Sequence, residues 1–230
     1  MTTHLVTGAG SGIGAALADR LHERGDELVL LARSESRAAE LGSRYPGSQV
    51  IVADLADAAA LEGLTGLPEE LDSVHHVAGV VELGPVAEQA GEVLRHHLAV
   101  NLVAPAILTR LCLPALRRTR GTVVFVNSSA GLSASATWSA YAASKFGLRG
   151  FADSLRAEEV ENGVRVTTIF PSRTATPMQE KVHEQEGRTY DAGRWIDPAT
   201  VVDLILHVLD LPDDATIPEV TVRPVLPRAT

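Results

Sequence analysis

The chain contains a single cysteine, Cys112, among its 230 residues. One thiol cannot close an intramolecular disulfide, so a disulfide scaffold is excluded and a reducing compartment fits better than secretion. Aromatic residues are scarce at 4%, and basic residues are outnumbered, 20 Lys and Arg against 29 Asp and Glu, for a formal charge of −9. That balance argues against nucleic acid as a partner, because gripping a phosphate backbone needs clustered cations. No run reads as approaching the ~20 apolar residues of a bilayer span, so no membrane is expected. Met1-Thr2-Thr3-His4 leads into a short apolar stretch without a basic leader, which points to the cytoplasm. Hydrophobic side chains, by contrast, make up 45% of the chain, enough for a sizeable core and incompatible with disorder. The length suits one domain over residues 1–230.

Short β-branched runs alternate with longer segments of helical period. Strands are expected at residues 4–7, 28–31, 49–52, 73–77, 122–127, 165–169 and 219–222. Helices are expected at 12–24, 36–44, 87–117, 141–161 and 198–209, with a fainter helical period at 57–64. Most strand segments are apolar at every position, the pattern of strands covered on both faces. Alternation of this kind gives an α/β fold: a doubly wound, Rossmann-like parallel sheet of about seven strands in a three-layer sandwich. Residues 171–197 show no clear period and are polar, with Met178, Tyr190 and Trp195 set among charges. A stretch this long is functional or a passive excursion, and residues 177–197 are read as a substrate lid.

The first strand empties into Thr7-Gly8-Ala9-Gly10-Ser11-Gly12-Ile13-Gly14. Glycines let the chain turn tightly and let a diphosphate approach the backbone, while the next helix aims its free N–H groups at that diphosphate. Ile13 occupies the third-glycine place of the strict Gly-x-Gly-x-x-Gly pattern, so the turn alone is weak evidence for a dinucleotide. Its position between first strand and first helix strengthens it. After the second strand comes Ala32-Arg33-Ser34, with no carboxylate to accept a ribose 2′-hydroxyl. Arg33 is either a solvated charge or a partner for a 2′-phosphate, and the latter makes NADP(H) the preferred coenzyme.

Tyr141-Ala142-Ala143-Ser144-Lys145 opens a helix and sets phenol and ammonium four apart on one face. A neighbouring cation would bring a phenol of pKa about 10 closer to the working range of an acid–base group. Such a pair also arises by chance on any helix.

Together, Gly8-x-x-x-Gly12-x-Gly14 and Tyr141-x-x-x-Lys145 resemble the short-chain dehydrogenase/reductase family in its single-domain form of about 250 residues, over residues 4 to 223. Further matches follow in the family's order. Asp54-Leu55 resembles the family's adenine-holding Asp segment, and His76-Val77-Ala78-Gly79 stands where the family usually has Asn-Asn-Ala-Gly. Ala78 and Gly79 are therefore expected to offer backbone contacts. Asn101 resembles the helix Asn, and Ser128, thirteen residues before Tyr141, the catalytic Ser. Pro171-Ser172-Arg173-Thr174-Ala175-Thr176 resembles Pro-Gly-x-x-x-Thr, so Pro171, Thr174 and Thr176 are expected at the nicotinamide carboxamide.

The resemblance implies an oxidoreductase that passes hydride between nicotinamide and a small carbonyl or alcohol. Tyr141 would be its acid–base group, and Ser128 would polarise the carbonyl. Lys145 would bias the phenol and grip the nicotinamide ribose, and Asn101 would position a relay water. Asn101, Tyr141 and Lys145 thus also count toward the coenzyme site, with Gly8, Gly10, Ser11, Gly12, Ile13, Gly14, Arg33, Asp54 and Leu55. A homodimer or homotetramer through the helices at 87–117 and 141–161 is implied in the same way. A dinucleotide-sensing regulator on the same fold is the alternative, although it has no need of a proton donor beside the nicotinamide.

Substrate walls are expected at residues 80–86, 130–139 and beyond Thr176. Ala130, Gly131, Leu132, Ala134 and Ala136 make the middle one small and apolar, which suits an uncharged substrate; Trp138 belongs either there or to lid packing. No metal site is expected: the neighbours His75/His76 and His96/His97 cannot converge on one ion. Cys112, between leucines on a helix, reads as a buried apolar residue.

Overall fold

The computed structural model describes residues 1–225, so residues 226–230 of the expected domain lie outside the described residues. Seven strands form one wholly parallel sheet: β1 (Thr3–Thr7), β2 (Glu27–Ala32), β3 (Gln49–Val52), β4 (Ser73–His76), β5 (Thr122–Val126), β6 (Arg165–Pro171) and β7 (Glu219–Val222). Their order is β3-β2-β1-β4-β5-β6-β7. Eight α-helices accompany them among the described residues: α1 (Gly12–Glu23), α2 (Glu35–Arg44), α3 (Ala58–Glu62), α4 (Gly91–Leu98), α5 (Ala104–Thr119), α6 (Ser139–Glu159), α7 (Pro177–Gln185) and α8 (Pro198–Leu209). The expected doubly wound α/β sheet is the fold found.

Successive strand residues point to opposite faces, and both faces here are covered. Leu5, Val29, Leu31, Val123 and Phe125 enter the layer with α5 and α6; Val6, Leu28, Leu30, Val124 and Val126 enter the layer with α1 and α8. This explains why the strand segments are apolar throughout. It also separates the adjacent histidines. His75 bonds Ser73 Oγ at 2.5 Å, while His76 bonds Thr109 Oγ1 of α5 at 2.8 Å and stacks on Phe125. Cys112 is fully buried, and burial pushes its thiol up to about 12.

Two expectations change. The helix expected at residues 87–117 begins only at Gly91 and is interrupted by a π turn at Ala99–Val103, centred on Asn101. The run Gly91–Thr119 is also long and apolar enough to cross a membrane by length and composition, contrary to the expectation that none would be; half of its apolar window is buried inside the molecule. Secondly, residues 171–197 contain helix α7. Thr176 caps it through a bond from the Gln179 N–H, Pro177 occupies its first turn, and the Thr174–Ile196 bridge closes the stretch.

Because the chain leaves β1 for β2 and β3 and then returns to β4 beside β1, its crossovers diverge there. A crevice opens above the carboxyl ends of these two strands, at Thr7 and His76.

Candidate active site

The cleft above that crevice has a volume of about 840 Å³, within the roughly 300–1,000 Å³ usual for small-molecule sites. It collects every residue assigned from the sequence to catalysis or coenzyme binding except one: Gly8, Gly10, Ser11, Gly12, Ile13, Gly14, Arg33, Asp54, Leu55, Ala78, Gly79, Ser128, Tyr141, Lys145, Pro171, Thr174 and Thr176 line it. Asn101 lies behind the wall, only 1% exposed. From the small, apolar set expected in the middle substrate wall, Ala130 lines the cleft and Gly131, Leu132, Ala134 and Ala136 do not.

At one end is the glycine turn. Gly8 has φ of 77°, and a Cβ there would sit 2.9 Å from Ala78 Cα. A Cβ on Gly14 would stand 2.2 Å from the Gly8 carbonyl oxygen, so Gly14 performs the close helix–strand packing that Ile13 cannot. Ser11 precedes α1 without capping it through its side chain. Uncapped N–H groups at a positive dipole end, approached over bare backbone, fit a diphosphate. Thr7 braces this end: its Oγ1 accepts from the Val77 and Ala78 N–H groups at 3.0 and 3.1 Å.

Arg33 is exposed at the edge of the cleft. Arg37, which sequence reasoning missed, lines it too; a Cβ on Gly10 would sit 2.9 Å from its Nη2. Ser34, as the cap of α2, accepts from the Arg37 N–H at 3.4 Å, and that Ser three residues ahead of an Arg was a usable signal.

At the other end Tyr141 and Lys145 lie on the first turns of α6, 6% and 4% exposed. Lys145 Nζ is 5.8 Å from the Tyr141 ring centre and donates to the Val126 carbonyl at 3.1 Å. Burial pushes the Tyr141 phenol above its ordinary value, opposed by a hydrogen bond with Ser128; burial pushes Lys145 down to about 8. Ser128 Oγ accepts from the Ala130 N–H at 3.1 Å, which orients it at the mouth of a short 3₁₀ turn. A phenol, a hydroxyl and an ammonium on one dry wall can hold a carbonyl oxygen and exchange a proton with it.

Asn101 does structural work. Its Oδ1 accepts from the Val80 N–H at 2.9 Å, and its Nδ2 donates to the Val80 carbonyl and to Ser144 Oγ, both at 3.0 Å. It ties the exit of β4 to α6. His97, considered from sequence only as a metal ligand, also pins this loop. One ring nitrogen donates to the Val93 carbonyl at 2.7 Å and the other accepts from the Glu82 N–H at 3.0 Å, and the ring meets Tyr141 edge-on.

The remaining wall is apolar: Val81, Ala130 and Val182 pack with Tyr141, Leu83, Trp138 and Met178. Trp138 meets Tyr141 at 5.7 Å between ring centres and so belongs to this wall. Arg173 lies over both Trp138 and Trp195 and is bound by Glu186 through two bonds of 2.8 and 2.6 Å.

Comparison with known proteins agrees with this geometry. The family model described as short chain dehydrogenase matches residues 2–187. An uncharacterised oxidoreductase of Staphylococcus saprophyticus is 29% identical over 231 residues, covering 96% of each chain. Among solved structures, an Escherichia coli short chain dehydrogenase complexed with NADPH is similar at 30% identity and TM-score 0.86, covering 97% of each chain. A Shigella flexneri short chain dehydrogenase complexed with NADP is similar at 28% identity and TM-score 0.83, covering 96% of this chain and 95% of that one. The protein whose cleft is built in this way belongs to the short chain dehydrogenase family of oxidoreductases.

Proposed function

We propose that the protein is an NADP(H)-dependent oxidoreductase acting on a small, uncharged carbonyl or alcohol, with Tyr141 as its acid–base group. The supporting observation is the wall that carries Ser128 and Tyr141, with Lys145 one helical turn on, in the same cleft as the uncapped N-terminus of α1.

Gly8, Gly10, Ser11, Gly12, Ile13 and Gly14 would hold the diphosphate, with Asp54 and Leu55 at the adenine. Arg33 and Arg37 would bind a 2′-phosphate, which favours NADP(H) over NAD(H) and agrees with the NADP(H) complexes of the two similar structures. Ala78, Gly79, Pro171, Thr174 and Thr176 would border the nicotinamide. When bound, the nicotinamide supplies hydride to the carbonyl carbon or takes it from the alcohol. Ser128 and Tyr141 donate hydrogen bonds to the carbonyl oxygen, and Tyr141 gives up its phenolic proton as that oxygen becomes an alcohol; oxidation reverses these steps. Lys145 stabilises the phenolate left behind. Asn101 serves by fixing Val80 against α6.

An uncharged substrate suits a wall on which the Arg173 guanidinium is already paired with Glu186. Residues 177–197 act as a lid, with Val182 of α7 closing on Tyr141. Exposed Leu94, Val103 and Phe146 on the helical run 91–119 and on α6 support pairing of copies as a homodimer or homotetramer. A free, buried Cys112 fits the cytoplasm. The test is a screen of NADPH and NADH oxidation over neutral aldehydes, ketones and quinones. Turnover with NADPH, faster than with NADH, is expected; no turnover across the panel with bound NADPH contradicts the proposal.

A further inference from the structure

Asn127 follows β5 and is 3% exposed, yet nothing about its spacing marks it in the sequence. Its amide is used at both ends. Oδ1 accepts from the Ser128 N–H at 2.8 Å, and Nδ2 donates to the Lys145 carbonyl at 3.0 Å. Its own N–H donates to the Ile169 carbonyl of β6 at 2.8 Å, so it stands at the carboxyl end of the sheet rather than on a loose loop. Lys145 Nζ meanwhile donates to the carbonyl of Val126, the residue just before Asn127. Strand end and helix turn are thus joined by two bonds of opposite sense. Room is made for the amide as well: a Cβ on Gly131 would stand 2.5 Å from Asn127 Oδ1.

We infer that Asn127 is a positioning residue, which locks the Ser128 hydroxyl against the Tyr141 phenol by tying the backbone of Ser128 to the α6 turn that carries Tyr141 and Lys145. This assignment rests on the reaction proposed above. Among the described residues the Ser128 hydroxyl caps its own 3₁₀ turn and faces Tyr141. The spacing between β5 and α6 therefore decides whether hydroxyl and phenol meet. A buried amide that satisfies one group on each side sets that spacing more sharply than apolar packing, because a shift of either element leaves a buried polar group unpaired. Displacement of about 1 Å at such a site costs up to roughly 100-fold in rate.

Two variants test it. Asn127→Ala removes both bonds; Asn127→Ser keeps a small oxygen near the Ser128 N–H but cannot reach the Lys145 carbonyl. Both are expected to fold and to bind NADPH within about threefold of the native protein, as read by nucleotide fluorescence, while kcat falls by roughly 10- to 100-fold. A readout independent of turnover is the Tyr141 phenol, followed by the ¹³C resonance of its ring and assigned against Tyr141→Phe. Because the Ser128 bond holds this phenol down, its titration moves to higher pH in Asn127→Ala. Ser128→Ala moves it in the same direction, and Asn127→Ala/Ser128→Ala moves it no further. An unchanged Tyr141 titration in the position-127 variants, or shifts that simply add to that of Ser128→Ala, overturns the assignment. If the native protein reduces no carbonyl, the proposed reaction fails while the titration still decides the role of Asn127. Should Asn127→Ala not fold, Asn127→Ser carries the same comparison.

Discussion

Lys145 stands one turn beyond Tyr141, its Nζ 5.8 Å from the phenol ring, and gives its hydrogen bond to the Val126 carbonyl rather than to the phenol. Ammonium and phenol share a dry wall, and burial acts on them in opposite directions: it disfavours phenolate and ammonium alike. Hence the wall resists charge on both groups.

That arrangement has a cost visible in stability. Free lysine titrates near 10.5 and buried Lys145 at about 8, so below about pH 8 the folded protein holds a charge that burial disfavours. Between about 8 and 10.5 the unfolded chain binds the extra proton, so this group's contribution to stability rises with pH across that window. Lys145→Met is expected to lack this rise. Relative to the native protein, its thermal stability should decline between pH 7 and 10.5 by up to about 3 kcal/mol. A relative stability that is flat with pH contradicts the burial assigned to Lys145.

In the proposed function, coenzyme preference rests on two guanidinium groups, Arg33 and Arg37. Arg33→Ala and Arg37→Ala should each weaken NADPH binding by about tenfold, since a charge-assisted hydrogen bond contributes roughly 1.5–3 kcal/mol. Binding of NADH should change by less than about threefold. Titration of both nucleotides against each variant checks this; equal losses for NADPH and NADH would place the arginines elsewhere than at the 2′-phosphate.

In the proposed function, the Arg173–Glu186 ion pair sets the charge of the substrate wall. Glu186→Gln keeps the shape but leaves Arg173, held between Trp138 and Trp195, without its carboxylate. Carbonyl substrates bearing a carboxylate should then gain in kcat/KM relative to neutral ones, by about fivefold or more for one uncompensated charge near the surface. An unchanged ratio between acidic and neutral substrates argues that Arg173 does not face them.

One backbone position offers a stability gain remote from the cleft. Arg120 ends α5 in the left-handed region at φ 54°, where a side chain is unfavourable and glycine is at ease. Arg120→Gly should stabilise the fold by about 1 kcal/mol, read from chemical denaturation, with activity unchanged. Destabilisation would mean that the Arg120 side chain, which packs near Gly163, contributes more than its backbone costs.

The sheet was legible because burial on both faces leaves a direct trace: Leu28 to Leu31 are apolar at every step, and they feed the two core layers in alternation. The glycine turn and the Tyr141–Lys145 spacing were legible because they are local in sequence. What failed was what depends on distant partners. The helix α7 has only Met178 and Val182 four apart as an apolar signature, so its polar surroundings hid it, although Thr176-Pro177 is a helix start. The break at Ala99–Val103 has a local cause that was passed over, Pro105, which has no N–H for the Asn101 carbonyl four residues back; it also accompanies the bonds of Asn101 to Val80 and Ser144. Arg37 and Asn127 escaped notice for a similar reason: each acquires its role from a residue brought near by folding, Gly10 in one case and Lys145 in the other.

The phenol of Tyr141 is the centre of the account, and the direct measurement compares native protein with Tyr141→Phe. NADPH oxidation is followed over the neutral carbonyl panel, and NADPH binding is followed separately. Loss of an acid–base group costs about 10²- to 10⁴-fold, so turnover should fall at least 100-fold while NADPH affinity stays within about threefold. Carbonyl reduction by Tyr141→Phe within tenfold of the native rate would contradict the account.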